Sequence, residues 1–344
     1  MTEEIATGFS IERIVSPAVV EEDLKTETRA WSNNVRPKEF NDYPGQTRAK
    51  ENLRIYVKAA RKTEKALDHV LLHGPPGLGK TTLARIVAAE LESPYVQTSG
   101  PSIDKPGDLA GILAGLSEGS VLFIDEIHRL SIAVEEVLYS AMEDFCMDII
   151  VGQGPTARSV RVPIQPFTLV GATTRVSLLS RPLLSRFGIQ ERLEFYSDDE
   201  LAEILLRSAT IMESDITREG AVSLACRSRG TPRTANRLLR RVQDFAVVRG
   251  DDTITPERVD EALAAMEIDN QGLEPMDRLL LETIVDRYQG GPVGIETLSH
   301  SVGEDRATIE DVYEPFLVFK GFIQRGPRGR EVTEMGQRHI QSPW

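Results

Sequence analysis

The stretch GPPGLGKTT, residues 74–82, matches the phosphate-binding pattern G-x-x-x-x-G-K-[ST]. It lies between LDHVLLH (67–73), an apolar run typical of a buried parallel strand, and TLARIVAAEL (82–91), which has helical spacing. The glycines let backbone N–H groups turn toward phosphates, Lys80 places a cation on the β and γ oxygens, and the Thr81 hydroxyl suits magnesium. The alternative is a glycine-rich turn with an incidental lysine, which the strand and helix on either side disfavour. The sequence therefore predicts a nucleoside triphosphate site.

A second motif, SVLFIDEIHRL (120–130), predicts a buried strand that ends in two adjacent acids, Asp125 and Glu126. Open α/β sheets bind their ligands at the carboxyl ends of parallel strands. Asp125 suits support of magnesium through water, and Glu126 suits orienting or deprotonating a water that attacks the γ-phosphate. Acids that cap a following helix are the alternative interpretation, and the two roles are compatible. Together the motifs predict nucleotide hydrolysis.

The composition indicates a globular chain of two or three domains, since it has 344 residues and 40% hydrophobic residues. No apolar stretch approaches the length of a bilayer span, and MTEEIATGFSIER at the amino terminus is acidic, so we expect a cytoplasmic protein without membrane association. Cys146 and Cys226 have no metal-ligand spacing, and we expect both to be buried as small apolar residues.

The net charge of −13 argues, taken alone, against binding to nucleic acid. The distribution of charge matters more than the sum. Residues 227–249 hold seven arginines against one acid, Asp244, and residues 320–344 hold five basic residues against Glu331 and Glu334. The pattern predicts local basic surfaces on an acidic body.

The arrangement of elements predicts three domains: 1–196, with an amino-terminal arm over 1–34; 197–267; and 270–344, after a polar linker at 269–272. The first alternates strands with helices, with strands predicted at 67–73, 95–98, 120–125 and 166–174, which indicates a doubly wound parallel sheet. In the second we predict four helices, over 198–212, 217–229, 232–249 and 255–266, and no strands. For the third domain the pattern predicts helices over 277–287, 295–300 and 307–314 followed by a hairpin over 322–333. This order of elements is typical of a winged helix.

Several polar residues outside these motifs are candidates for the same site. Thr173 and Thr174 end a strand beside the phosphate loop, where a hydroxyl either senses the γ-phosphate or merely caps the strand. Arg186, in LLSRFG, and Arg233, at the start of an arginine-rich helix, are either solvated or act on phosphate charge. An arginine from a neighbouring subunit stabilises phosphoryl transfer, and one on a lid couples nucleotide state to domain angle.

The segment MDIIVGQGPTARSVRV (147–162) alternates apolar and polar residues about a Gly-Gln-Gly-Pro turn. This pattern predicts a β-hairpin. Ile149, Ile150 and Val151 then lie either on an exposed apolar tip or against the hairpin's own domain.

The chain resembles the RuvB family of Holliday junction branch-migration motors, within the AAA+ ATPases, in an ordered set of motifs: GPPGLGKTT, VLFIDEIHRL, GATTR, LLSRFG, RGTPRTANRLLRRVQDFA and FIQRGPRGR. The resemblance covers about residues 35–330. It implies an AAA+ P-loop domain, a small helical lid domain and a carboxyl-terminal winged-helix domain. It also implies an ATP-driven DNA helicase and translocase that pumps duplex DNA to drive branch migration in homologous recombination and DNA repair. ATP and Mg²⁺, a homohexameric ring, the partners RuvA and RuvC, and a location at the bacterial nucleoid follow from the same resemblance.

The resemblance assigns roles to individual residues. It implies catalytic roles for Lys80, Asp125, Glu126, Thr174 as first sensor, Arg186 as a finger acting on the neighbour's ATP, and Arg233 as second sensor. ATP binding is implied for Val35, Arg36, Gly77, Lys80, Thr81, Thr82, Glu143, Asp144, Phe145, Arg186, Tyr196 and Arg233, with Mg²⁺ on Thr81 and on Asp125 through water. DNA contact is implied for Arg306, Arg325 and Arg330, and docking on RuvA for the hairpin with Ile149, Ile150 and Val151.

The chain departs from the family pattern at His73, at Gln153 in the hairpin turn, and in a longer amino-terminal arm. From the residues alone, two further functions stay open: an ATPase that remodels proteins, and a nucleotide-regulated transcription factor. A remodeller would be insensitive to the charge of the wing, and a transcription factor would show strong sequence preference in DNA binding.

Overall fold

The computed structural model describes residues 35–151 and 158–341, and the side chains of 149–151, 158 and 159 are not described. The chain divides into two compact units, 1–36 and 37–344. Val35 and Arg36 are the described residues of the first unit, and the predicted amino-terminal arm over 1–34 lies outside the described residues.

The strands, in chain order, are β1 Val70–His73, β2 Tyr95–Ser99, β3 Val121–Asp125, β4 Cys146–Val151, β5 Arg158–Pro163, β6 Thr168–Thr173, β7 Ile189–Arg192, β8 Asp215–Ile216, β9 Thr253–Ile254, β10 Ile323–Gly326 and β11 Gly329–Val332. The helices are α1 Thr47–Thr63, α2 Lys80–Glu90, α3 Pro106–Ala114, α4 Ile132–Asp144, α5 Arg181–Ser185, α6 Asp198–Ile211, α7 Arg218–Cys226, α8 Pro232–Arg249, α9 Pro256–Ala265, α10 Pro275–Tyr288, α11 Ile295–Val302, α12 Arg306–Thr308, α13 Glu314–Phe319 and α14 Glu334–Gln341. A π-helical segment, Ile309–Tyr313, joins α12 to α13.

Five of these strands form a parallel sheet in the order β2-β3-β6-β1-β7. Each of the four predicted strands is present. The fifth, β7, was not predicted, because its sequence IQER alternates buried and exposed residues instead of forming an apolar run. β7 is an edge strand, so a continuous apolar run is not required of it.

Alternate residues of the central strands enter two different cores. Val70 and Leu72 of β1 belong to one apolar cluster, and Leu71 between them belongs to the other. A strand covered on both faces must be apolar at every position, which explains the unbroken run before the phosphate loop. The doubly wound α/β class is therefore confirmed, with the carboxyl ends of β1, β3 and β6 at one edge.

The helices after the sheet, α6 to α9, pack into the first of these two cores, to which Leu201, Leu224 and Leu238 contribute. Side chains of Ser197, Thr217 and Thr231 accept hydrogen bonds from the first turns of α6, α7 and α8, which fixes where these helices start. The prediction that the strands stop after residue 197 was wrong, because two short strands, β8 and β9, pair in parallel over two residues each. Both cysteines were expected to be buried. Cys146 is buried, but Cys226 is only half-buried.

Residues from α10 onward form a separate apolar cluster that includes Leu281, Ile284, Leu298, Phe316 and Val332. Here β10 and β11 pair as an antiparallel hairpin after the helices, so the winged-helix prediction is confirmed. The third helix was predicted over 307–314 but continues through the π-helical segment to Phe319, and α14 after the wing was not predicted.

The hairpin predicted over 147–162 is present as β4 paired antiparallel with β5, from Cys146 opposite Pro163 to Val151 opposite Arg158. Its turn, including Gln153, lies outside the described residues, as do the side chains of Ile149, Ile150 and Val151. Within the described ranges, no helix is both long and apolar enough to cross a membrane.

Candidate functional site

The phosphate loop leads from β1 into the first turn of α2, which begins at Lys80. Gly77 and Gly79 have φ values of 82° and 96°, a conformation that suits glycine. A Cβ on Gly79 would lie 2.6 Å from the Tyr43 hydroxyl, so this position also lacks room for a side chain. Because the amino terminus of a helix presents unpaired N–H groups and the positive end of its dipole, the loop is built to hold an anion.

Lys80 lies buried inside this loop. Its Nζ donates to the carbonyl oxygens of Gly74 at 2.8 Å and Pro75 at 2.9 Å. Burial lowers the pKa of Lys80 to about 8, and the nearby carboxylates of Asp125 and Glu126 oppose that shift. The ammonium group is thus held at the loop by carbonyls, where an anion can engage it.

A hydrogen bond connects the acid-tipped strand to the phosphate loop. The Thr81 hydroxyl lies 3.3 Å from Asp125 Oδ2 and donates to it. A hydroxyl and a carboxylate are ligands that Mg²⁺ takes in proteins, usually with phosphate and water as the remaining ligands. In the described part of the chain no group of three or more His, Cys, Asp and Glu side chains could hold a metal ion by itself.

Glu126 has a left-handed backbone, with φ of 51° and ψ of 43°, directly after β3. Its side chain is 38% exposed, and Oε2 lies 3.4 Å from His128 Nε2. The other ring nitrogen of His128, Nδ1, lies 2.9 Å from the Thr173 hydroxyl at the end of β6. Burial lowers the pKa of His128, which favours a neutral ring at pH 7. Glu126 therefore combines access to solvent with one histidine contact.

The two threonines at the end of β6 differ in their surroundings. Thr173 is fully buried and hydrogen-bonded to His128, and its hydroxyl also accepts from the backbone N–H of Arg175 at 2.9 Å. Thr174 follows the strand and is half-buried. Thr173 therefore has the capping role that the sequence left open, and Thr174 stays the predicted sensor.

The lid reaches the phosphate loop at the start of α8. The backbone N–H of Arg233 lies 3.4 Å from the Gly77 carbonyl oxygen, and a Cβ on Gly77 would lie 3.1 Å from Arg233 Cβ. A cavity of about 310 Å³ opens here, lined by Pro75, Pro76 and Gly77 of the loop, Thr231, Arg233, Thr234 and Arg237 of the lid, and Asp311, Val312, Pro315 and Phe316 of the winged helix, among others. Three parts of the chain therefore meet beside the loop.

Tyr196 is buried, and its hydroxyl lies 3.0 Å from that of Tyr43. Both hydroxyls lie 3.2 Å from the carbonyl oxygen of Leu78 in the phosphate loop. Burial raises the pKa of Tyr43 to about 12 and raises that of Tyr196 as well, so both remain protonated donors. Tyr43 escaped the sequence reasoning because its partner is 35 residues away and no motif marks it.

Arg186, the predicted finger, lies directly after α5. Its Nη2 lies 2.8 Å from Glu143 Oε2 at the end of α4, and its guanidinium stacks on the Tyr139 ring at 4.7 Å. The Nε atom is buried and has no hydrogen-bond partner within the described chain. Two residues predicted to lie near ATP, Arg186 and Glu143, are thus brought together on one surface.

The remaining predicted ATP residues have other surroundings. Asp144 lies 3.7 Å from Arg161 of β5, and the Phe145 ring packs edge-on against Phe167. Thr82 lies half-buried in the first turn of α2. The roles of these residues, and of Val35 and Arg36 in the first unit, stay predictions.

The three arginines predicted to contact DNA belong to one ion-pair network. Arg306 lies 2.6 Å from Glu296 and 3.3 Å from Glu310, Arg330 lies 3.0 Å from both Glu310 and Glu314, and Arg325 pairs with Glu314. The Arg330 side chain is only 13% exposed, whereas that of Arg325 is 54% exposed. At the tip of the hairpin, Arg328 is exposed and has no carboxylate within 4 Å among the described residues. The sequence reasoning did not select Arg328.

The prediction of a basic surface over 227–249 was largely wrong. Five of its arginines are paired with acids in the ion pairs Arg227–Asp260, Arg229–Asp277, Arg237–Glu274, Arg241–Asp244 and Arg249–Glu261. Four of these acids lie outside the segment, so a count of charges within it could not reveal them.

Comparison with known proteins connects this geometry to one family. Three family models match in succession: the Holliday junction DNA helicase RuvB P-loop domain at 35–193, the RuvB AAA lid domain at 196–269 and the RuvB carboxyl-terminal winged-helix domain at 270–341. Among solved structures, the Thermotoga maritima RuvB Holliday junction branch migration motor is 49% identical, with a TM-score of 0.82 over 90% of this chain and 98% of that one. A lysine-to-arginine variant of the T. maritima protein is also 49% identical, with a TM-score of 0.83 over 89% and 98%.

Proposed function

The chain belongs to the RuvB family of Holliday junction DNA helicases, and we propose that it hydrolyses ATP to drive duplex DNA through a four-way junction during recombination and repair. The observation that carries the proposal is the 3.3 Å contact between Thr81 and Asp125, because it joins the phosphate loop to the acid-tipped strand. The same unit carries a winged helix with an arginine-bearing hairpin. Nucleotide binding and a DNA-acting domain therefore occur in one unit.

The residues of the loop suit ATP hydrolysis. Lys80 and the N–H groups at the start of α2 would hold the phosphates, and Thr81 with Asp125 would hold Mg²⁺, which supplies charge neutralisation on the phosphate oxygens. Glu126, whose side chain is 38% exposed and lies 3.4 Å from His128, is proposed to orient a water and accept its proton. Thr174 and Arg233 are proposed as the first and second sensors, since each lies beside the loop.

Arg186 is proposed to act on the ATP of a neighbouring subunit in a homohexameric ring. Its ion pair with Glu143 and its stacking on Tyr139 hold the guanidinium on a surface formed by α4 and α5. A guanidinium fixed in this way can stabilise the charge that spreads over the transferred phosphoryl group. Tyr196 and the stretch Glu143, Asp144 and Phe145 are proposed to lie near the nucleotide. Val35 and Arg36 are proposed to flank adenine.

The winged helix is proposed to follow the phosphates of duplex DNA without reading base sequence. Arg306, Arg325 and Arg330 are the predicted contacts. In the wing, Arg325 is more exposed than Arg330. Backbone contacts position a protein on DNA and carry no direct sequence information, which suits a motor that moves over any sequence. A protein remodeller or a promoter-reading factor is not favoured, because all three parts of the chain match RuvB models.

The partners and boundaries are proposals of the same kind. RuvA would dock on the β4–β5 hairpin that carries Ile149, Ile150 and Val151, and RuvC would join the resolving complex. We place the domains at 1–196, 197–267 and 270–344, and the site of action in the cytoplasm at the nucleoid, where the DNA lies.

Branch migration of a synthetic four-way junction tests the function directly. The wild-type protein with RuvA should convert a labelled junction into duplex products only when ATP and Mg²⁺ are present. Glu126→Gln should bind ATP and junction but yield no products, and Lys80→Ala should lose nucleotide binding. Product formation by Glu126→Gln at the wild-type rate would refute the assigned chemistry.

A further inference from the structure

A chain of polar contacts connects the predicted catalytic base to the winged helix. We define the relay as Glu126, His128, Thr173, Arg175 and Asp311. His128 lies between Glu126 and Thr173, at 3.4 Å and 2.9 Å, and the Thr173 hydroxyl accepts from the Arg175 N–H at 2.9 Å. Arg175 then forms a two-point ion pair with Asp311, at 2.6 Å and 2.7 Å.

One arrangement of protons fits all of these contacts. A carboxylate only accepts, so a neutral His128 that carries its proton on Nε2 presents that proton to Glu126 Oε2, 3.4 Å away, and accepts at Nδ1. Thr173 already accepts from the Arg175 N–H, and its own hydroxyl proton is therefore available for Nδ1. Displacement of the Arg175 backbone would disturb Thr173, then the ring of His128, and finally the orientation of the Glu126 carboxylate.

Asp311 lies in the π-helical segment Ile309–Tyr313, directly after Glu310. Glu310 pairs with Arg306 and Arg330, two of the predicted DNA contacts, while Asp311 pairs with Arg175 of the ATPase domain. Adjacent carboxylates in one π-helical turn thus face the DNA arginines and the catalytic domain. Single π turns inside helices often mark functional positions.

The same segment is held by the lid. The Val312 carbonyl oxygen accepts from Arg229 Nη2 at 3.3 Å, and that guanidinium stacks on Phe316 at 4.5 Å. Arg229 is in turn fixed by a buried ion pair with Asp277, at 2.6 Å and 3.1 Å. The π-helical segment is therefore fixed on its lid side. Of its two carboxylates, Glu310 pairs with Arg306 and Arg330, and Asp311 pairs with Arg175.

We propose that the Arg175–Asp311 ion pair couples DNA engagement by the winged helix to the position of Glu126, with Thr173 and His128 as positioning residues. DNA phosphates would compete with Glu310 for Arg306 and Arg330, change the constraint on the π-helical segment, and so shift Asp311 against Arg175. This inference rests on the proposed function, because it presumes that DNA stimulates hydrolysis.

The test is the ratio of ATP turnover with and without duplex DNA in Arg175→Met, Asp311→Asn and the charge-exchanged double variant Arg175→Asp/Asp311→Arg. Each single variant should lower the ratio by about fivefold or more, and the double variant should recover most of it. Affinities for ADP and DNA should stay near wild type, because neither residue is predicted to touch nucleotide or DNA. A matched control is Arg227→Ala, which removes the 2.8 Å lid ion pair with Asp260 and should leave the ratio unchanged.

Two further variants test the middle of the relay. Thr173→Val keeps the shape of a fully buried side chain but removes both of its hydrogen bonds, and it should lower the ratio as the ion-pair variants do. Thr173→Ser keeps the hydroxyl and should retain the wild-type ratio. Thermal unfolding of each variant would identify any that fail to fold.

The outcomes separate the inference from the proposed function. Wild-type hydrolysis that DNA does not stimulate would refute the proposed function. Stimulation of the wild type that persists unchanged in folded Arg175→Met and Asp311→Asn would overturn the coupling. A loss confined to one of the two single variants, or an equal loss in Arg227→Ala, would overturn it as well, since the ion pair would not be the cause.

Discussion

The titration of Lys80 predicts how nucleotide affinity depends on pH. In the structure its pKa is lowered to about 8, mainly by burial, whereas the ordinary value is 10.5. A phosphate on Nζ requires the charged form, so binding must raise the pKa, and the proton must be taken up whenever the lysine is neutral. For a pKa of about 8, the fraction of charged lysine is near one at pH 7, about one half at pH 8 and about one tenth at pH 9.

The dissociation constant for ADP should therefore rise about twofold at pH 8 and about tenfold at pH 9, relative to pH 7. ADP avoids hydrolysis, and isothermal titration at constant ionic strength measures the constant. Repeating the titration at pH 8 in buffers of different ionisation enthalpy should show uptake of about half a proton for each ADP bound.

The contribution of Lys80 to the free energy of unfolding should change with pH in the opposite direction to ADP affinity. This difference distinguishes the loss of ADP binding from alkaline unfolding. Because the folded pKa of Lys80 is below its unfolded value, the unfolded chain binds more protons between about pH 8 and pH 10.5. The contribution of Lys80 to stability thus rises with pH in that window, while ADP affinity falls. Lys80→Arg is the control, because a guanidinium does not titrate there. A wild-type dissociation constant that stays flat from pH 7 to pH 9.5 would refute the reasoning.

Mixing inactive Lys80→Ala with inactive Arg186→Ala should restore hydrolysis at roughly a quarter of wild-type activity per site, because that share of random interfaces has both residues intact; no recovery in mixed rings would exclude action on a neighbour's ATP. Arg229→Met should lower the free energy of unfolding by roughly 3–5 kcal/mol in urea titrations, since it leaves the fully buried Asp277 unpaired, and a change below about 1 kcal/mol would contradict this. Arg328→Ala should weaken binding to duplexes of different sequence equally and lower the salt dependence by about one counterion, whereas a loss confined to one sequence would indicate base reading.

The parts of the site that the sequence predicts are those in which neighbours in sequence are neighbours in space. The loop at 74–82 and its flanking elements are contiguous in sequence. The four apolar residues before Asp125 predict β3. Because the strands are parallel, their carboxyl ends share one edge of the sheet, and there Asp125 contacts Thr81 although β6 lies between β3 and β1. This is why the fold class and the phosphate-binding end of the sheet could be predicted.

The rest depends on pairings between distant residues. Tyr43 meets Leu78, His128 meets Thr173, and Arg175 meets Asp311 across 35, 45 and 136 residues. A composition count treats each arginine as a solvated charge, yet most of the arginines in 227–249 pair with acids elsewhere. The edge strand β7 was missed because partial exposure removes the apolar run that marks the central strands.

Steady-state ATP turnover with four-way junction DNA and RuvA shows whether hydrolysis is coupled to DNA, with Glu126→Gln as the inactive reference. Junction and RuvA together should stimulate wild-type hydrolysis, and Glu126→Gln should show no turnover under any condition. Wild-type turnover that is the same with and without junction and RuvA would contradict this prediction, since hydrolysis would then not be coupled to DNA.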